Sequence, residues 1–253
     1  MKKLLKGLYM SFGMFCAIPV PKLWDDDCTG MLMPCFPVVG AVIGLIWWGV
    51  SKLLVFSGIN SVLAAAVLAL VPFFAAGFIH LDGFIDTSDA VLSRRPLEDK
   101  IRILKDPNAG AFAVIMLGLV FVLQFAAAFA VLDNGKFFRL LIVIPIISRC
   151  GSAFSLLCLR PAEFSGYVKM FRNNTGAAHM VVVLLITLVA VALSYVFEGV
   201  SGLITVAAVV FGYTAAMVCA FSGFKAVSGD LAGFALVVSE LCGLVALAVV
   251  RGI

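Results

Sequence analysis

Apolar residues dominate this chain in long runs, and polar residues gather in the short stretches between them. A helix of about twenty apolar residues is long enough to cross the hydrocarbon core of a bilayer. Seven runs of about that length can be marked, at roughly 36–56, 61–80, 110–132, 138–159, 178–197, 201–224 and 231–250. No repeat, low-complexity tract or linker interrupts them, so residues 1–253 read as a single domain. The pattern predicts an all-α fold, a polytopic membrane helix bundle of about seven transmembrane helices within a range of six to eight. It adds an N-terminal interfacial helix and helices in the loops.

Composition agrees with that reading. The chain is 63% hydrophobic and only 13% charged, whereas a soluble domain carries about twice that charge fraction. Lipid, not water, must cover most of the outside. The basic start, Met1 to Met10, has the look of a signal peptide, but Pro19, Pro21 and the later spans favour an amphipathic helix lying at the interface. Seven cysteines form no Cys-x-x-Cys pair and sit mostly in apolar runs, as small hydrophobes do. A net charge of +4 is modest for the size and makes no case for nucleic acid. Gly40 and Gly44 form a Gly-x-x-x-Gly pair that predicts close helix packing.

Charge sets the orientation. With the N-terminus in the cytoplasm, Lys52, Lys136, Arg139 and Arg251 fall on the outer side and Arg149 inside a span, while the other thirteen of the 18 Lys and Arg fall inside. That asymmetry obeys the positive-inside rule. The polar segments 19–37, 80–109, 160–177 and 225–230 then share the cytoplasmic face, where loops on a rigid bundle can build a site. In the longest, Leu97, Ile101 and Leu104 repeat at helical spacing, with Glu98 and Asp99 in the first turn.

Three groups of residues can carry chemistry. Asp82, Asp86 and Asp89 stand at i, i+4 and i+7, which puts them on one helix face directly after an apolar run. Like charges that close need a cation or protons among them, and aspartate oxygens suit a hard cation such as Mg²⁺. A solvated helix end is the plain alternative, but residues 80–92 contain no Glu or Lys of the kind such surfaces interleave. His80, at the start of the segment, is a candidate substrate contact.

The second group is Lys105-Asp106-Pro107-Asn108-Ala109-Gly110, a turn opening the next span. Lys105 and Asn108 can meet a phosphate near that helix N-terminus, and Asp106 can add a metal ligand. A turn with a local ion pair fits these residues equally well. The third is Ser228-Gly229-Asp230, which can present backbone amides and a carboxylate to a ligand, or simply cap a helix. Glu240 lies inside the last span, where a charge costs about 3 kcal/mol and needs a partner. Arg149 is the basic residue deep enough to pair with it or to reach a phosphate. His179 and the run Asp25-Asp26-Asp27 read as structural and solvated, respectively.

Four stretches together resemble the cobalamin synthase family, the adenosylcobinamide-GDP ribazoletransferases. They are Ile18-Pro19-Val20-Pro21 with Phe36 to Gly40; His80 to Asp89; Ile103-Leu104-Lys105-Asp106 with Gly110-Ala111-Phe112; and Ser228 to Gly233 with Glu240. The chain has Pro107-Asn108 where the family commonly has Ser-Arg, and Ser228 where Thr is usual. The resemblance implies a Mg²⁺-dependent enzyme of the bacterial cytoplasmic (inner) membrane. It would join adenosylcobinamide-GDP to α-ribazole or its 5′-phosphate and release GMP, giving adenosylcobalamin or its phosphate. It implies Asp82, Asp86 and Asp89 as catalytic residues and, with Asp106, as metal ligands. His80, Lys105, Asn108, Arg149, Ser228, Gly229 and Asp230 would bind substrate. A homo-oligomer or association with other enzymes of the pathway stays open.

Two rival readings are a cation-coupled transporter and a membrane transferase for another nucleotide-diphosphate substrate. The first predicts acids at the bilayer midplane and an inverted repeat, and the chain has its acids at one face and no repeat.

Overall fold

A computed structural model describes residues 2–21, 23–135 and 138–250. Lys22, Lys136 and Arg251, which entered the charge asymmetry, lie outside the described residues. The helices are α1 (Lys2–Phe15), α2 (Leu32–Ser57), α3 (Ser61–Ala75), α4 (Ile79–Leu92), α5 (Leu97–Leu104), α6 (Ala111–Asn134), α7 (Leu140–Cys158), α8 (Gly166–Asn173), α9 (Ala177–Phe224) and α10 (Gly229–Val249). A 3₁₀ turn, Asp26–Met31, leads into α2. Among the described residues there is no strand, only an isolated bridge between Pro161 and Val227. This is a multi-pass membrane protein with an all-α fold.

Five helices are long and apolar enough to cross a membrane: α2 with its leading turn, α6, α7, α9 and α10. At 48 residues α9 is twice the needed length, and it holds two passes. Glu198 and Gly199 leave helical geometry (φ −145° and +57°), and a Cβ on Gly202 would overlap the carbonyl oxygen of Ser194. In a straight helix those two residues would stand about 12 Å apart. The chain therefore reverses at Glu198–Gly199, and the runs at 178–197 and 201–224 become antiparallel arms.

The run at 61–80 does not form one straight span. The helix α3 stops at Ala75, after fifteen residues, and α4 leaves it at 93°. The stop is a backbone motif: Gly77 (φ +66°) donates to Phe74 O at 3.1 Å, and Phe78 donates to Phe73 O at 3.0 Å. This 5→2 and 6→1 pairing satisfies the last carbonyls of α3 and turns the chain. Phe78 also takes a left-handed φ of +62°, at a cost of about 1–2 kcal/mol for a side chain with a Cβ. The consequence is that α4, with its aspartates, lies across the end of the bundle instead of continuing through it.

The buried helix at the centre is α7, and α2, α9 and α10 pack around it. Gly40 and Gly44 lie against the α7 backbone at Pro145 and Ile142, the close approach that their spacing predicts. The two ends of the bundle differ. Lys52, Arg139 and Glu198 meet at one, where Asn134 Nδ2 also donates to Ala248 O at 3.0 Å. At the other lie α1, α4, α5 and α8. There α1 buries Gly7, Met10, Ser11 and Phe15 and exposes Leu4 and Leu5, as an interfacial helix does. Asp25 is more than a solvated residue, because it caps the 3₁₀ turn and pairs with Lys6 at 2.6 Å.

Candidate active site

The helix α4 carries Asp82, Asp86 and Asp89 on one face, and α10 brings a fourth carboxylate to them. Small residues make this possible. A Cβ on Gly83 would lie 2.8 Å from Asp230 Cα, and one on Gly233 would lie 3.2 Å from His80 O. The two helices thus cross backbone to backbone, and Asp230, in the first turn of α10, arrives beside the α4 face. Ser228 caps that helix through Leu231 N and also donates to Asp230 at 3.3 Å. Its loop is held by Val227 N donating to Arg160 O at 2.8 Å and Ala162 N donating to Val227 O at 2.9 Å.

These carboxylates are near enough to act on one another. Burial pushes the Asp86 carboxyl up to about 6, and the charges of Asp82, Asp230 and Asp89 push in the same direction. Among the described residues none of the four is in an ion pair. Asp89 also packs on the N-terminus of α6, where a Cβ on Gly110 would overlap its carboxylate. As they lie, no three His, Cys, Asp or Glu side chains among the described residues enclose a metal position. The donor set is nevertheless all hard oxygen, unpaired and mutually repelling, which is the chemistry that a divalent cation such as Mg²⁺ accepts.

The other expected site residues divide. Lys105 stands at this end, with its ammonium 5.4 Å from the centre of the Phe164 ring. Asp106 is engaged locally, since Asn108 N and Nδ2 both donate to it at 2.9 Å, and these bonds hold its carboxyl below the usual range. Its charge is not among those that act on Asp86. Arg149 is fully buried and pairs with Glu240, which also accepts from Ser148 at 2.9 Å. Of its two anticipated roles the ion pair is present, and Arg149 Nε and Nη2 are left without a partner.

Beside the carboxylates opens a cavity of about 780 Å³, walled by α1, α2, α4, α7, α8 and the start of α10. His80, Lys105, Gly229 and Asp230 line it, and Asp230 links it to the aspartate face of α4. Its outer wall is the segment Phe164–Phe171, which no sequence motif singled out. The available signal was the amphipathic spacing of α8, whose Val168 and Phe171 are buried.

The profile of the family described as Cobalamin-5-phosphate synthase matches residues 7–248. The chain belongs to this family. Among curated family members, the adenosylcobinamide-GDP ribazoletransferase of Clostridium botulinum (strain Alaska E43 / Type E3) is 38% identical, over 96% of this chain and 97% of that protein. The protein of the same name from Clostridium perfringens (strain SM101 / Type A) is 34% identical over 99% of this chain and all of its own length. A more distant one, from Geobacillus kaustophilus (strain HTA426), is 29% identical over 92% of the chain and 91% of that protein. No solved structure matches the chain. The family match takes in all four aspartates and every residue that lines the cavity.

Proposed function

We propose that this chain is an adenosylcobinamide-GDP ribazoletransferase that works with Mg²⁺ at the aspartate end of its bundle. Family membership over residues 7–248 supports the reaction. The observation that carries the chemistry is the gathering of Asp82, Asp86, Asp89 and Asp230 without an ion pair.

A ribose hydroxyl of α-ribazole, or of its 5′-phosphate, attacks the phosphorus on the cobinamide side of the diphosphate. A new phosphorus–oxygen bond forms to the ribose, and the bond from that phosphorus to the bridging oxygen breaks. GMP leaves with the bridging oxygen. The hydroxyl proton passes to a carboxylate, and Asp89 is assigned that role. Mg²⁺ held by Asp82, Asp86 and Asp230 would supply neutralising charge to the diphosphate. Lys105, which lines the cavity, adds a fixed positive charge for a phosphate. The product is adenosylcobalamin or its phosphate. The bias of Lys and Arg toward this end supports placing the site and the N-terminus on the cytoplasmic side of a bacterial inner membrane.

The test is GMP release by purified protein, with Mg²⁺ and with chelator. Chelation should stop turnover, and Asp82→Asn or Asp86→Asn should lower kcat by about a hundred- to a thousandfold, the scale of losing one principal electrostatic group, in protein that still inserts and purifies. Near-normal turnover by either variant, or GMP release indifferent to chelator, would refute the assignment.

A further inference from the structure

The cavity beside the carboxylates has a lining at odds with a diphosphate site. It is largely apolar, with Phe15, Phe36, Phe164, Tyr167 and Phe171 among its residues, and another of them, His80, has its imidazole Nε2 buried with no hydrogen-bond partner. The His80 ring is 8% exposed and is held between Phe15 (ring centres 6.1 Å apart) and Phe36 (5.6 Å). Phe164 and Phe171 close the opposite side. Buried polar atoms without partners are rare because they lose their hydrogen bonds to water, so an unpartnered imidazole nitrogen on a residue that lines an apolar cavity marks where a ligand's polar atom belongs.

We infer that this cavity seats the flat heteroaromatic base of the attacking nucleoside, with His80 Nε2 meeting its free ring nitrogen. The assignment rests on the ribazoletransferase reading. A benzimidazole-type base offers two apolar faces and one free ring nitrogen, which the lining can satisfy. Guanine, the other base in the reaction, carries an amide and an amino group that this wall would leave unpaired. The geometry also connects to the chemistry. A base in the cavity puts its ribose beside Gly229, Asp230 and Lys105, where the hydroxyl meets the carboxylates.

The experiment compares Phe164→Ala, Phe171→Ala and His80→Leu with wild type in the full-length detergent-solubilised protein. Phe164 is only partly buried, and it keeps the test valid if the buried Phe171 variant does not fold. The KM for α-ribazole should rise about tenfold or more, the scale of losing one base–aromatic stack, while the KM for adenosylcobinamide-GDP moves less than about threefold. His80→Gln, which keeps a donor, should recover part of the loss. A rise confined to adenosylcobinamide-GDP would give the cavity to guanine and overturn the inference, as would unchanged KM for both substrates. Equilibrium dialysis of α-ribazole and of GDP with the Asp82→Asn protein separates binding from turnover. There α-ribazole should bind and should weaken in the Phe164→Ala double variant. Binding of α-ribazole without any turnover by wild type would sink the proposed reaction and leave the base site standing. Absence of α-ribazole binding to wild type would sink the base site itself.

Discussion

Asp86 stands at the centre of the carboxylate group, and its chemistry follows from what surrounds it. Burial and three neighbouring carboxylates raise its pKa to about 6 from an ordinary 3.8. A raised acid binds more protons folded than unfolded, so between about pH 4 and 6 it makes the metal-free protein less stable as pH rises, and above that range the penalty is constant. A divalent cation opposes that trend by favouring the charged form. Two results are expected: the metal-free protein melts at a higher temperature at pH 5 than at pH 7.5, and Mg²⁺ narrows the difference. In the same way Mg²⁺ affinity should fall by up to about tenfold per pH unit below pH 6 and stay level above it. Isothermal titration across pH 5–8 checks this, and an affinity that improves in acid would remove Asp86 from the ligand set. Arg149 and Glu240 illustrate the opposite solution, in which a buried charge is answered by a partner on a neighbouring helix.

The elements that matter most are two helices that cross through glycine. Where Gly83 faces Asp230, the gap leaves no room for a methyl group, because the nearest atoms are backbone and cannot rotate away. Gly83→Ala should push α4 off α10 and separate Asp230 from the other carboxylates, with an overpacking cost of about 1–3 kcal/mol. Turnover and Mg²⁺ affinity should both drop while the protein still inserts. Gly233→Ala, whose added methyl would lie 3.2–3.3 Å from its neighbours, should do the same more weakly. Equal activity of both variants and wild type would show that the crossing is not what assembles the site. The bend between α3 and α4 belongs to the same scale. An apolar run long enough for a membrane was legible at 61–80, but the reversal at Gly77 and Phe78 depends on backbone torsions that hydropathy does not encode.

Over the whole molecule, the bundle has a chemical end and a plain end. Because α9 folds back on itself, both its termini return to the chemical end, and the loops before α8 and after α9 can pair as 160–162 does with Val227. The orientation can be read by labelling with a membrane-impermeant maleimide in a cysteine-free background. Lys169→Cys, at the site end, should react only after the cells are permeabilised, and Lys52→Cys, at the far end, should react in intact cells. The reverse pattern would turn the protein over in the membrane.

Local periodicity by itself determined the membrane class, the face shared by Asp82, Asp86 and Asp89, and the two arms within α9. These properties depend on residues a few positions apart, whose relative direction the helix sets. The motifs spread from Ile18 to Glu240 determined the family, and charge spacing anticipated the partnership of Arg149 with Glu240. Only the tertiary structure decided that Asp230 joins the α4 aspartates while Asp106 turns to Asn108, and that α8 closes an apolar cavity that His80 lines. Those outcomes depend on contacts between segments up to about a hundred and fifty residues apart, as the 148-residue separation of Asn174 and Asp26 illustrates. A glycine such as Gly83 announces that some backbone will come close, but only packing chooses which one.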